Sequence, residues 1–463
     1  MVNPDQPTGP LSRGLRLGRL GASLAGSYLG YQIQGLFLDK ESRTAKREEW
    51  NEAGARKLRK ELETLRGPMM KFGQILSMQS HTISGPALQE LSRLQMRAPG
   101  MHPTLARAQF KSSMGKPPEA LFAEFEDVPF AAASLGQVHR ARTTDGVSVA
   151  VKIQYPAIRE AIENDFKLLK SSALPGRLTG YFPGAILDEI RRGFMDETDY
   201  TKEARNIELF HGGLASLDFM AVPRVHWKLT TDRVLTMSLL PGTPLGAYLA
   251  EKPSQTARNL IGARLLQLYQ YQLYEMHTLH ADPHPGNYLI DRDGRIGLVD
   301  FGCVKRLSPS IPELAVCFKD RLWERGEADK RRMLELIWGP GNHIAHPNTH
   351  ALFDQITTFY NTVYPPGKNG TGVVDFGDSK VLDALAVNMR KALQYKLTNP
   401  EFAFSTRAEL GLYNLLHQIG AQVNTGQTMA RTAALMTAKP AREPNRSKVR
   451  GPTGARPTQE QRK

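Results

Sequence analysis

The chain has 463 residues, 41% hydrophobic and 23% charged, with 40 glycines and 30 prolines, which suits a globular protein rather than a collagenous, low-complexity or disordered one. Its length implies two or three domains, and its two cysteines, Cys303 and Cys317, exclude a disulfide scaffold or multi-cysteine zinc site and read as reduced intracellular thiols. Sixty basic against 46 acidic residues leave a net charge of +14, which suits nucleic acid, anionic lipid or a phosphorylated ligand, so the placement of the charge must decide.

In chain order, Arg13, Arg16 and Arg19 recur at helical spacing ahead of residues 20–38, a stretch with no charge. Gln32, Gln34 and several small residues dilute that stretch. It therefore reads as a peripheral or packing helix in preference to a marginal membrane span or a cleaved transit peptide. Next, Leu58, Leu62, Leu65, Met69, Phe72 and Leu76 alternate steps of four and three, a helical seam that Gly67-Pro68 kinks or divides. Lys71 and Gln74 lie on a separate stripe of it. A helical pattern continues to about Met114.

The texture then changes. Residues 122–141 and 147–153 predict strands, with Asp145-Gly146 as a hairpin turn between them. Helical periodicity returns over residues 186–210, and residues 222–240 predict short strands about a Thr231-Asp232 turn. From Thr256 onward the pattern is helical except for short apolar runs at 288–290 and 296–299. The tail, 439–463, carries +6 of the net charge, is rich in Pro and Gly, and is expected to stay solvated or to touch anionic lipid. No repeat is present. Strands followed by helices predict an α+β body with a small sheet-bearing lobe and a larger helical lobe.

Four motifs in fixed order carry the chemistry. Residues 131–138 keep the frame of a phosphate-covering strand–turn–strand, with Ala131 and Ala133 in place of the first two glycines and Gly136 and Val138 in theirs. Small residues let backbone N–H groups approach phosphates, so Ala131, Ala132, Ala133, Ser134, Gly136 and Val138 are candidate nucleotide contacts. Fourteen residues past Val138, Lys152 follows an apolar run and becomes a candidate ligand of the α- and β-phosphates, given an acidic partner. Asp282 and Asn287, five residues apart, match the spacing of the kinase catalytic loop, where Asp meets the nucleophilic hydroxyl and Asn a magnesium ion. Asp300-Phe301-Gly302 follows thirteen residues after Asn287, an interval that fits a small hairpin, and Asp300 would chelate Mg²⁺ with Asn287. A second Asp-Phe-Gly at 375–377 lacks the upstream loop and reads as a chance match.

Together with Lys71-Phe72-Gly73-Gln74, Glu197-Thr198-Asp199-Tyr200 and Glu203-Ala204-Arg205-Asn206, these motifs resemble the UbiB (AarF) atypical kinases, a group that includes the mitochondrial coenzyme Q biosynthesis kinase-like proteins. The resemblance covers about residues 12–420. It implies a two-lobed protein-kinase-like fold with a family-specific helical extension at its N-terminal side. The division implied is a basic amphipathic segment over 1–50, the extension over 51–115, the N-lobe over 116–245, the helical C-lobe over 246–437 and the tail over 438–463. It further implies that Glu203 pairs with Lys152, that Glu197 and Asp199 meet Lys71, and that Lys71 and Gln74 occlude a peptide site. Glu197 and Asp199 lie about 200° apart on a regular helix, so both reach one lysine only if the helix breaks near Thr198.

The activity implied is Mg²⁺-dependent ATP hydrolysis, or phosphorylation of a small lipid-like acceptor, in support of isoprenoid-quinone biosynthesis. The partners implied are ATP, a lipid or quinone-precursor-like molecule, an anionic membrane surface, and a second copy of the chain or proteins of a biosynthetic complex. The place implied is the cytoplasm, peripheral to a membrane, or the mitochondrion in a eukaryote; nucleic acid is not expected. Two rivals are a nucleotide-binding scaffold without useful turnover and an aminoglycoside- or choline-kinase-like phosphotransferase. The second does not account for Lys71, Gln74 or the alanine loop. Ser238 stands where a hinge acid is common in the family, which leaves adenine contact to backbone groups.

Overall fold

The computed structural model describes Ala53, Arg56 and Lys57, then residues 101–133, 135–171, 184–339, 341, 347–365, 372–384 and 400–438. The expectations for residues 1–50, for Lys71 and Gln74, for Ser134 and for the tail beyond residue 438 therefore lie outside the described residues. Among the described residues no helix is long and apolar enough to cross a membrane.

Helix α1 (Pro103–Met114) opens the described body, with Pro103 at its first turn and Gly115 ending it in a left-handed conformation at φ +73°. It packs on a five-stranded sheet built from β1 (Phe122–Phe125), β2 (Ala131–Ala133), β3 (Gly136–Thr143), β4 (Ser148–Gln154) and β6 (Val234–Ser238). The order is β1-β3-β4-β6, with β2 also paired to β3. The expected turn is present: Gly146 adopts φ +86° and its N–H donates to the Thr143 carbonyl.

Strand β4 shows how sequence alternation places the chemistry. Val149, Val151 and Ile153 point to the core formed with Phe110 of α1, while Ala150 belongs to the core on the opposite face. Lys152 shares that second face, so the strand buries its lysine by register alone. Every residue of β4 after Ser148 is buried.

The helical pattern over 186–210 divides into α3 (Gly184–Glu197) and α4 (Tyr200–Gly213), interrupted at Thr198-Asp199 where a break was needed. Asp199 caps α4, its Oδ1 accepting from Thr201 N and Thr201 Oγ1. Of the strands expected over 222–240 only β6 forms, and β5 (Met220–Ala221) lies just before that range. Between β5 and β6 lie Val225, which makes a single bridge to Met237, and a 3₁₀ turn at Trp227–Leu229, while the hydroxyls of Thr231 and Thr230 accept from the N–H groups of Val234 and Thr236.

In the helical lobe, α6 (Gln255–Tyr271) is capped by Ser254 and packs against α10 (Pro400–Ile419) and α11 (Thr425–Ala438). It runs into a π turn, Gln272–Met276, that stops at His277 with φ +48°. Short strands β8 (Thr278–His280) and β11 (Val304–Arg306) pair, as do β9 (Tyr288–Ile290) and β10 (Ile296–Leu298). β10 also runs parallel to β5, and β7 (Thr243–Pro244) closes the far edge of that sheet. One apolar core runs from Ala150 and Leu235 of the sheet lobe to Leu412 and Val423 of the helical lobe.

Candidate active site

The first alanine loop residues lie in β2 and pair with β3, Ala131 opposite Val138 and Ala133 opposite Gly136. Gly136 is sterically obliged: a Cβ there would sit 2.3 Å from the Ile153 carbonyl oxygen and 2.7 Å from the Tyr200 hydroxyl. Ala132 and the exposed edges of its neighbours face outward from the sheet. Val138 is registered opposite Lys152, which places the loop and the lysine on adjoining strands.

Lys152 and Glu203 are each 3% exposed. Lys152 Nζ donates to both carboxylate oxygens of Glu203 at 2.9 Å and lies 3.5 Å from Asp300 Oδ2. Burial alone would push the ammonium down, but the charges of Asp300 and Glu203 outweigh it and hold Lys152 well above the ordinary lysine value. Burial raises the Glu203 carboxyl, and Lys152 opposes that rise. The lysine is thus a fixed cation, pinned between two lobes' carboxylates and resting 5.1 Å from the Tyr200 ring centre.

Glu203 does a second task, accepting from the Phe301 backbone N–H at 3.2 Å, while Asn206 one turn along donates to the Phe301 carbonyl at 3.0 Å. Helix α4 therefore grips both the lysine and the Asp-Phe-Gly backbone. Asp300 itself takes φ +62°, an uncommon backbone for a residue with a side chain. Three contacts hold it there: its Oδ1 accepts from Gly302 N at 3.1 Å, its carbonyl accepts from His280 Nε2 at 2.7 Å, and Phe301 is fully buried behind it.

Asp282 and Asn287 occupy one turn, where Asn287 Nδ2 donates to both the Asp282 carbonyl and Asp282 Oδ2 at 3.0 Å. Those donations fix which end of the amide faces away, and the end left over is an oxygen. The hairpin pairs Tyr288 with Leu298, and Val299 N donates to the Asn287 carbonyl, so Asn287 and Asp300 emerge at the same end of one ladder. One amide oxygen and one carboxylate suit Mg²⁺, which keeps water and phosphate oxygens as its remaining ligands. No group of three or more His, Cys, Asp or Glu with metal-binding geometry occurs among the described residues, so a closed all-protein metal cage is not what this donor set resembles.

Glu197 ends α3 close to Gly302, where its Cγ would lie 3.4 Å from an added Cβ, and Asp199 caps α4 on the other side of the break. Ser238 ends β6 with its hydroxyl accepting from Arg224 N. Tyr200, Asn206 and Gln272 carry no role in the sequence reading, although 200, 203 and 206 fall on one helix face at three-residue steps. That spacing was the readable signal for the first two. Gln272 Oε1, accepting from His280 N at 2.6 Å, comes from the π turn and had no such signal.

The sequence pattern of the ABC1 atypical kinase-like domain matches residues 93–328. "Atypical kinase COQ8B, mitochondrial" of Rattus norvegicus is 36% identical over 304 residues, 64% of this chain and 54% of that one. "Atypical kinase COQ8, mitochondrial" of Saccharomyces cerevisiae is 28% identical over 427 residues, 90% of this chain and 83% of that one. The chain spans about half or less of the length of several other curated relatives. Among solved structures, Rv3197 of Mycobacterium tuberculosis, determined as a complex with erythromycin, aligns with a TM-score of 0.56 at 25% identity, covering 87% of this chain and 100% of that one.

Proposed function

The chain belongs to the ABC1 atypical kinase-like family, and on that premise we propose that it binds Mg²⁺-ATP and hydrolyses it, or passes its terminal phosphoryl group to a small lipid-like acceptor, in support of isoprenoid-quinone (ubiquinone) biosynthesis at a membrane. The observation that carries this reading is Lys152 held at 2.9 Å by Glu203 with Asp300 3.5 Å away. A fixed cation beside a half-exposed carboxylate is what a polyphosphate and its metal ion require, since phosphoryl transfer needs positioning and charge neutralisation above all.

In this reading residues 116–245 supply the phosphate loop and residues 246–437 the catalytic loop. Backbone N–H groups of the alanine loop approach the phosphates, Lys152 neutralises the α- and β-phosphates, and Asn287 with Asp300 would hold magnesium, which supplies charge neutralisation on the phosphates. Asp282 orients the attacking hydroxyl or water and accepts its proton at the carboxylate. Lys71 and Gln74, with Glu197 and Asp199, are proposed to close the acceptor side. Support for a small acceptor comes from the chain after Gly302: β11 and then α7 (Ser310–Lys319) follow directly, which leaves no long peptide-docking segment. The ABC1 match supports this reading over the aminoglycoside- and choline-kinase-like alternative.

The test is a lipid-quinone profile of cells lacking the protein. Loss of quinone with build-up of an early precursor, restored by the wild-type chain and not by Asp300→Asn, is expected. Full restoration by Asp300→Asn would favour a scaffold role, and an unchanged profile would remove quinone synthesis from the proposal.

A further inference from the structure

Away from the nucleotide site, the helical lobe encloses a cavity of about 110 Å³ between α6 with its π turn, α7, α9 (Pro347–Val363) and α10. Aromatic rings make much of its wall, among them Tyr274, Phe318, Phe359, Tyr360 and Tyr413, and one carboxylate, Glu409, opens into it. Glu409 is half-buried and lines this cavity.

The chemistry of that wall is selective. A carboxylate taken out of bulk water needs a proton, hydrogen bonds or a counter-cation. Among the described residues Glu409 receives one side-chain hydrogen bond, from Tyr413 Oη to its Oε1 at 2.5 Å, and no lysine, arginine or histidine pairs with it. Burial pushes the Glu409 carboxyl above its ordinary value and the Tyr413 hydroxyl only partly opposes this. Aromatic rings attract a cation through their electron-rich faces and do nothing comparable for an anion. Phe318 and Tyr360 stand 5.2 Å apart between ring centres, and Tyr360 stacks on Tyr364 at 4.7 Å, so the rings of this wall are packed against one another.

We propose that this cavity is a binding site for a small organic cation, an alkylammonium group enclosed by aromatic rings and neutralised by Glu409. Its volume suits a ligand of about five heavy atoms, given that an apolar cavity of roughly 150 Å³ accommodates benzene. The placement ties the site to the catalytic machinery. Leu273 and Tyr274 of its wall belong to the π turn that leads into His280, and Gly411, between Glu409 and Tyr413 on α10, meets Pro283 so closely that an added Cβ would lie 1.9 Å from Pro283 Cγ.

The probe is tetramethylammonium, titrated by calorimetry into the full chain and compared with tert-butanol, an uncharged molecule of similar size. Saturable binding of the cation at least tenfold tighter than the alcohol is expected. Glu409→Gln should remove that preference while the alcohol binds as before, with an unchanged thermal melt as the control for folding. Tyr360→Leu, which removes a ring and leaves the acid, should weaken the cation at least threefold. Equal binding of both probes would mean an ordinary apolar cavity, and no binding by the wild-type chain would mean a water-filled packing void. Either result overturns the proposal, and neither depends on nucleotide chemistry.

Discussion

Asp300-Phe301-Gly302 and Asp375-Phe376-Gly377 repeat one tripeptide with two outcomes. In both, the phenylalanine is at most 1% exposed, and the aspartate Oδ1 accepts from the glycine N–H, at 3.1 Å in the first and 2.8 Å in the second. A histidine donates to the backbone in each: His280 to the Asp300 carbonyl, His417 to the Phe376 carbonyl. The bond from the glycine N–H back to the acid and the buried ring are therefore what the tripeptide itself supplies.

What differs is what the rest of the molecule brings. Asp300 is half-buried, twisted to φ +62°, and faces Lys152, while Glu203 and Asn206 of α4 hold Phe301 from a distance of almost a hundred residues. The exposed Asp375 ends β12 (Val373–Asp375), which pairs with β13 (Gln422–Asn424). There its second oxygen accepts from Gln422 Nε2 at 3.0 Å, and Phe376 N donates to the Ala421 carbonyl. One copy has an acid beside a fixed cation; the other has its acid tied into a two-stranded antiparallel ladder. What sets the first copy apart, on this comparison, is its long-range partners and not its three residues.

The comparison can be broken first at the shared feature. Phe301→Ala and Phe376→Ala should each cost about 3–5 kcal/mol of stability in urea denaturation, because each removes a fully buried ring. A loss below about 1 kcal/mol at Phe376 would mean that the second copy is not a core element and the likeness is superficial. A smaller and more discriminating effect lies in the partners. Asn206→Ala should cost about 1 kcal/mol by leaving the Phe301 carbonyl without its donor, whereas Gln422→Ala, which removes an exposed bond, should cost less than about 0.5 kcal/mol. Equal costs would contradict the claim that α4 secures the first copy in a way nothing secures the second.

The two copies also show what a sequence can disclose. The interval between Asn287 and Asp300 was readable, since thirteen residues hold two short strands and a turn, and β9 and β10 pair as that count requires. Lys152 was readable from its place fourteen residues past Val138 at the end of an apolar run, and the break at Thr198 followed from the angle between Glu197 and Asp199. Strand pairs β8–β11 and β12–β13 were not, being three residues each and too short to alternate. Nor was the π turn, whose cause is tertiary: its Gln272 and Tyr274 are recruited by His280 and α7, and no local periodicity records that. The cavity around Glu409 was equally hidden, because its walls come from four separate helices spread along the chain from Tyr269 to Tyr413.

The account rests on Asp300 and not Asp375 being the acid of a magnesium–nucleotide site, and calorimetric titration of ATP with and without Mg²⁺ tests it most directly. The wild-type chain and Asp375→Asn should bind ATP with the same magnesium-dependent gain in affinity, and Asp300→Asn should lose at least tenfold of it, about 1.4 kcal/mol. Magnesium-dependent binding that survives intact in Asp300→Asn, or that is absent from the wild-type chain, would contradict the assignment.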